Sequence, residues 1–286
     1  MRLPTTLTLI AAVLAPTISA WDAPYYHGWH LAWSDPFWGP AGTFPNEASW
    51  SILNINLHVN NELQTYRRDS RNVQISGGAT LQLVPWRDPV FQWTSGRVES
   101  KYTFVPHAGK RTMAEAMIRF GGNPIHTKRG LWPAFWLLGD SIRQGTPWPA
   151  CGEVDILETV NGLLTGYGTV HCHMYPGGIC NEPYGRGGPV GIPSQDWHRW
   201  RVIWDRTSGD WRSETITWFM NDQQFFQVRG SDINNYEVWA SLSAKPLYFI
   251  LNVAVGGDWP GYPDGNTQDG YGAMMEVGYV AQYYSY

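Results

Sequence analysis

Alternation with a period of two constrains this chain more than any other feature. Trp200, Val202 and Trp204 alternate with Arg199, Arg201 and Ile203, and Ile216, Trp218 and Met220 alternate with Thr217 and Phe219. Met275, Val277, Tyr279, Ala281 and Tyr283 repeat the pattern near the C-terminus. Successive side chains of a strand point to opposite faces, so each run presents one apolar face that must be covered. Asn221-Asp222, between two such runs, reads as a hairpin turn into a strand over 223–228. Further strands are predicted over 72–76, 80–85, 96–105, 111–120, 132–138, 152–159, 166–173 and 246–254. Only 232–242 reads as a helix. About a dozen short strands separated by Gly, Pro and Asn predict an all-β antiparallel sandwich or barrel. No linker, repeat or charge block divides the chain, so one domain over 21–286 is expected.

Charged residues make up only 15% of the chain, against roughly 25% in an average domain. The formal charge is −4 and no basic run occurs, which argues against nucleic-acid and acidic-membrane partners. Arg2, an apolar run over 7–14 and Ile18-Ser19-Ala20 together read as a secretory leader over 1–20, so a secreted, extracellular protein is expected. No later stretch offers about 18 uninterrupted apolar residues, so no spanning helix is expected. Secretion permits disulfides, and Cys172 and Cys180 flank a turn-like segment that suits a short local bridge. Cys151, inside an apolar run, reads as a buried thiol rather than a nucleophile.

The segment richest in chemistry is Cys151-Gly-Glu-Val-Asp-Ile-Leu-Glu158. On a strand Glu153 and Asp155 share one face while Val154 and Ile156 take the other. Glu158 has the wrong parity for that face, and a β-bulge at Ile156 or Leu157 would restore it. Two such acids suit glycosidic bond cleavage: one attacks the anomeric carbon while the other protonates the leaving oxygen and later activates water. Retention of configuration places the two carboxyl groups about 5–5.5 Å apart. Crowded carboxylates cannot all ionise easily, so one acid should keep its proton near neutral pH. The rival readings are an exposed polar face and a cation site that adds His171 and His173. The His-Cys-His spacing matches no standard zinc motif, and no metal is expected.

Here the chain resembles a known family. Residues 148–158, Trp-Pro-Ala-Cys-Gly-Glu-Val-Asp-Ile-Leu-Glu, resemble the Glu-x-Asp-x-x-Glu signature of glycoside hydrolase family 16, in its laminarinase-like form. Asn60-Asn-Glu-Leu-Gln64, Ser95-Gly-Arg97, Gly130-Leu-Trp-Pro-Ala-Phe-Trp136, Gly168-Thr-Val-His171, Leu251–Gly261 and Val277-Gly-Tyr-Val280 resemble further family segments in the family's order. The resemblance implies a concanavalin A-like two-sheet jelly roll with an open concave cleft. It implies retaining endo-hydrolysis of a β-linked polysaccharide, with Glu153 as nucleophile, Asp155 as its supporting acid and Glu158 as general acid/base. It places His171 beside the catalytic strand. Relatives often carry, on the closing strand, an Asp that helps bind a structural calcium. Gly278 stands there, so no cofactor is expected and calcium is in doubt.

Aromatic rings stack on the apolar faces of sugars, and Trp132 and Trp259 match cleft positions of the family. Trp136 also matches a position near the cleft, but a core or rim place is preferred for it, and core packing is expected for Trp200, Trp204 and Trp218 by their alternation. Arg97, Asn61 and Asn252 are candidates for hydroxyl recognition, although Asn61 could equally build a turn. Glu62 and Glu115 are expected to be structural or surface acids. The expected activity is hydrolysis of internal β-1,3 linkages in glucan such as laminarin, or mixed-linkage β-1,3/1,4-glucan, by a monomer. A β-1,3-galactan substrate and cell-wall transglycosylation are alternatives on the same scaffold. A non-catalytic β-glucan lectin, which would lack one of the three acids, ranks below them.

Overall fold

The computed structural model describes residues 21–286; the predicted leader lies outside the described residues. In chain order the strands are β1 (Trp29–Asp35), β2 (Trp50–Ile52), β3 (Gln64–Tyr66), β4 (Val73–Ile75), β5 (Leu81–Leu83) and β6 (Trp86–Asp88). Then come β7 (Gln92–Ser95), β8 (Arg97–Phe104), β9 (Arg111–Phe120), β10 (Leu131–Gly139), β11 (Glu153–Glu158) and β12 (Thr165–His171). The last are β13 (Arg186–Gly191), β14 (His198–Asp205), β15 (Thr215–Met220), β16 (Gln223–Arg229), β17 (Leu247–Val255) and β18 (Met275–Ser285). One sheet runs β16-β15-β14-β9-β18-β5-β4, with β1 also paired to β18. The other runs β13-β12-β11-β10-β17-β8-β2, and β3, β7 and β6 form a small third sheet. The two large sheets form the sandwich of a jelly roll.

The alternating runs of β14 and β15 fold as predicted, whereas that of β18 breaks at the register shift between Val277 and Tyr279: Met275, Val277 and Val280 join the main core, and Tyr279, Ala281 and Tyr283 pack in a separate cluster with Met113. Trp200, Val202, Trp204, Ile216 and Trp218 are fully buried between the sheets. Two of these indoles, Trp200 and Trp218, fit there because the facing positions of β12 are glycines. A Cβ on Gly168 of β12 would lie 2.3 Å from Trp218 Cδ1, and one on Gly166 would lie 2.5 Å from Trp200 Cη2. Large residues of one sheet thus interlock with absent side chains of the other, which keeps packing dense. The turn at Asn221-Asp222 has left-handed φ values of 47° and 69°, as a two-residue hairpin with the twist of its strands requires.

The structure divides the predicted helix. α1 (Gly230–Ile233) stops at Asn234, whose φ is 49°, and α2 (Tyr236–Ser243) restarts with the Asn235 side chain accepting from Val238 N. β13, with the sequence Arg-Gly-Gly-Pro-Val-Gly, was not legible as a strand. Its glycines are needed for close approach: a Cβ on Gly188 would meet Phe226 Cδ2 at 2.7 Å. Glu115 is structural, as expected. It is fully buried and accepts from Arg201 Nε at 2.6 Å and Tyr279 Oη at 2.6 Å.

Gly278 lies at a register shift of β18. A Cβ there would sit 2.3 Å from Trp21 Cε3, so the indole of Trp21 covers the position where the resemblance implied an Asp. That indole also donates to Gly78 O at 3.1 Å.

Candidate active site

The expected bulge is present. Phe135 pairs with Leu157 and Trp136 with Asp155, which leaves Ile156 as the extra residue. On the other side Asp155 pairs with Thr169 and Glu158 with Tyr167. Ile156 and Leu157 both turn into the core with Val154. Glu153, Asp155 and Glu158 therefore share the face turned away from the second sheet.

Each outer acid is held by an indole. Trp148 Nε1 donates to Glu153 Oε2 at 3.1 Å, and Trp132 Nε1 donates to Glu158 Oε1 at 2.9 Å. Trp148 was missed by sequence reasoning, although it opens the acidic motif. His171, directly across from Glu153 on β12, brings Nε2 to 3.8 Å from Glu153 Oε1 and 3.4 Å from Asp155 Oδ2. Its Nδ1 donates to Glu182 Oε2 at 2.6 Å. Asp155 Oδ2 is buried with no hydrogen-bond partner among the described residues.

Burial dominates the protonation of the cluster. It raises the pKa of Glu153, against the opposing pull of a charged His171. It lifts Asp155 well above the usual carboxylate range, helped by the charges of Glu158 and Glu153. It pushes Glu158 up to about 7, with the Glu153 charge adding to the effect. For His171 burial acts downward. The Glu182 hydrogen bond and the charges of Glu153, Glu182 and Glu158 outweigh it and raise the imidazole to about 9. At neutral pH the site thus holds an imidazolium among carboxyl groups, with Glu158 poised between its two forms. Glu153, Asp155 and His171 each bring one polar atom within 4.8 Å of the others, close enough for a divalent cation if the imidazole proton were displaced. His173 is turned elsewhere, its Nδ1 accepting from Ile179 N at 3.3 Å.

The other expected residues are distributed unevenly. Trp259 is 43% exposed and meets Trp132 and Tyr167 edge to face, both at 5.3 Å. An aromatic wall therefore rises on the Glu158 side. Asn61 has a left-handed φ of 54° and donates to Asp258 Oδ1 at 2.8 Å, so it builds a turn that ties down the loop carrying Trp259. Asn252 is committed on both sides: Oδ1 accepts from Trp136 Nε1 at 2.7 Å and Nδ2 donates to Tyr66 Oη at 3.2 Å. Arg97 lies on the same face, with Nε and Nη2 both bonded to Glu99 Oε1 at 3.0 and 2.7 Å.

Trp136 does not take the core place preferred for it. Phe135 is the buried residue, and Trp136 lies on the acid face under the Arg97 guanidinium, 5.0 Å from its ring centre. β10 pairs with β17 without a register shift, so Trp132 and Trp136 share a face by simple alternation. Cys172 and Cys180 form the expected disulfide. Cys151 is buried, which pushes its thiol up to about 12 and leaves it inert. Glu62 is a partly buried loop acid that accepts from Gln64 Nε2 at 2.7 Å.

Comparison with known proteins agrees with this geometry. A family model described as an XgeA-like, catalytic GH16 domain matches residues 121–181. The endo-1,3-β-glucanase of Streptomyces sioyaensis is 31% identical, with a TM-score of 0.86 over 92% of this chain and 99% of that chain. The laminarinase of Rhodothermus marinus is 29% identical, with a TM-score of 0.71 over 89% of this chain and 97% of that chain. The clotting factor G alpha subunit of Tachypleus tridentatus is 30% identical over 262 residues, 89% of this chain, which spans 34% of that relative's length. The acidic motif sits on its bulged strand, and the likeness extends over nearly the whole of the Streptomyces protein: the chain belongs to glycoside hydrolase family 16.

Proposed function

We propose that the protein is a secreted, monomeric glycosidase that cuts internal β-1,3 linkages of β-glucan, with laminarin as its type substrate, by double displacement with retention. The observation that carries this reading is the bulge at Ile156, which places Glu153 and Glu158 on one face on either side of Asp155. Its likeness to an endo-1,3-β-glucanase and a laminarinase supports the choice of substrate.

In this mechanism Glu153 attacks the anomeric carbon and the glycosidic C–O bond breaks. Glu158 gives its proton to the departing oxygen. A pKa near 7 suits that task, because the group is still protonated at mildly acidic pH yet gives up its proton readily. Glu158 then takes a proton from water, which attacks the glycosyl ester and frees Glu153. Asp155 supports Glu153 from the next position on the same face, and the charged His171 favours the anionic nucleophile. Trp259 and Trp132 supply rings for sugar stacking, and Arg97, seated over Trp136, supplies N–H donors not bonded to Glu99.

Product chromatography after parallel digestion of laminarin and a β-1,3-galactan tests the proposal. Gluco-oligosaccharides of mixed length from laminarin are expected. Products from the galactan alone would overturn the substrate, and products longer than the starting chains would move the reading to transglycosylation.

A further inference from the structure

Strand alternation does not deliver every charged group at the site. Glu182 follows Cys180 by two residues, just past the loop that the Cys172–Cys180 disulfide closes, and its side chain is fully buried. Oε2 accepts from His171 Nδ1 at 2.6 Å and Oε1 from Cys172 N at 2.8 Å. The main chain of Glu182 pairs in both directions with Gly177 across the loop. The carboxylate is therefore fixed at both ends. Gly185 closes the other side, since a Cβ there would lie 2.8 Å from His171 Cε1. Glu182 thus holds Nδ1, and Nε2 is left facing Asp155 and Glu153.

We infer that Glu182 is a positioning residue of the hydrolytic site, holding the imidazole of His171 against the catalytic acids, and that the disulfide-closed loop sets its place. The inference rests on the reading of Glu153 and Glu158 given above. The charged groups facing His171 are Glu153, Asp155 and Glu158 from β11 and Glu182 from the loop, while Trp148 packs its ring at 5.7 Å. A carboxylate behind an imidazole makes the ring more basic and fixes its orientation. The resulting cation favours ionised Glu153 and limits how far Glu158 is pushed up. If Glu182 is made neutral, His171 should lose its proton at lower pH. Glu158, which titrates near 7, should then hold its proton to higher pH, because the His171 charge that lowers it is lost there.

Glu182→Gln and Glu182→Asp in the whole protein test this, with two readouts. The first is an NMR titration of His171 in the folded protein. The second is the pH profile of kcat and kcat/KM on laminarin. In Glu182→Gln, His171 should titrate near the ordinary value of about 6.5 rather than about 9. The upper limb of the profile should move to higher pH, and kcat should fall about tenfold, equivalent to one pKa unit, with KM little changed. Glu182→Asp should restore the profile in part. A His171 titration unmoved by Glu182→Gln would overturn the inference. So would a moved titration with an unmoved upper limb. Should Glu182→Gln fail to fold, Cys172→Ser with Cys180→Ser is read in the same way: an upper limb shifted to higher pH supports the loop's role and an unmoved upper limb removes it. Full activity in Glu153→Gln would instead sink the underlying catalytic reading, while the His171 titration would still report on Glu182.

Discussion

Trp218 of β15 reaches across the sandwich and donates its indole N–H to the backbone oxygen of Asp155 at 2.7 Å. A bulge leaves part of the strand ladder unpaired, and here the carbonyl at its start is satisfied from behind by the other sheet. The ring can reach it because Gly168 carries no side chain. Core packing and the spacing of the acids are thus joined at one hydrogen bond. Trp218→Phe should cost about 1–3 kcal/mol for the buried carbonyl left unpaired, plus lost packing. It should lower kcat more than it raises KM, as measured by denaturant unfolding and laminarin kinetics. Stability and kcat both at the parent level would show that this bond does not hold the bulge.

Glu153→Gln should reduce laminarin turnover by at least about a thousandfold, since the amide cannot form the glycosyl ester. Laminarin binding, followed by calorimetry, should survive, because the amide keeps the shape of the acid. Turnover near the parent rate would remove Glu153 as nucleophile.

Glu158→Ala should discriminate between leaving groups. Aryl glycosides with acidic phenols need little protonation and should keep far more activity than laminarin, whose departing sugar oxygen needs a proton. Equal losses on the two substrates would mean that Glu158 is not the acid.

The cluster should make stability fall as pH rises. Glu158 has a pKa of about 7 folded against 4.5 for the free side chain. The folded state thus holds the extra proton, and its contribution is complete below pH 4.5 and lost as pH passes 7. His171, raised from 6.5 to about 9, contributes fully below pH 6.5 and loses its contribution as pH passes 9. Both slopes have the same sign. The Glu158 part amounts to on the order of 3 kcal/mol between its two pKa values. Melting temperatures of the parent and Glu158→Gln from pH 5 to pH 8 should converge at low pH and separate at high pH, with the variant the more stable there. Parallel curves would contradict the burial argument.

Gly278→Ala should destabilise the protein by about 1–3 kcal/mol through overpacking, because the new methyl meets Trp21 at 2.3 Å. Trp21→Ala in the same chain should recover part of that loss. A chelator should leave the parent melting temperature unchanged, with the indole of Trp21 lying where a ligand side chain would project. A large fall on chelation would show that calcium contributes to stability after all.

The strands that alternate over five or more residues were legible, because burying one face leaves a period-two trace. β1, β2, β3, β6, β7 and β13 were not. Several of these have only three or four residues, and β13 is written in glycines whose purpose lies in Phe226 and Thr169 on other strands. At the site the three acids could be read from spacing, and His171 from the resemblance to the family. Trp136 was misplaced even though it shares parity with Trp132. Asn252 and Arg97 were found as residues but not as partners of Trp136 and Glu99.

What the sequence determined by itself was the all-β class, the packing faces of β14 and β15, and the need for an extra residue between Asp155 and Glu158. Those follow from local geometry, because neighbours in sequence decide which side of a strand a residue takes. The tertiary structure alone decided which indole caps which acid, that Trp21 covers Gly278, and that Glu182 stands behind His171. These contacts join distant segments, or leave a turn at an angle that no period records. The pKa values depend on them too, because burial is a property of the assembled sheets and not of any single strand.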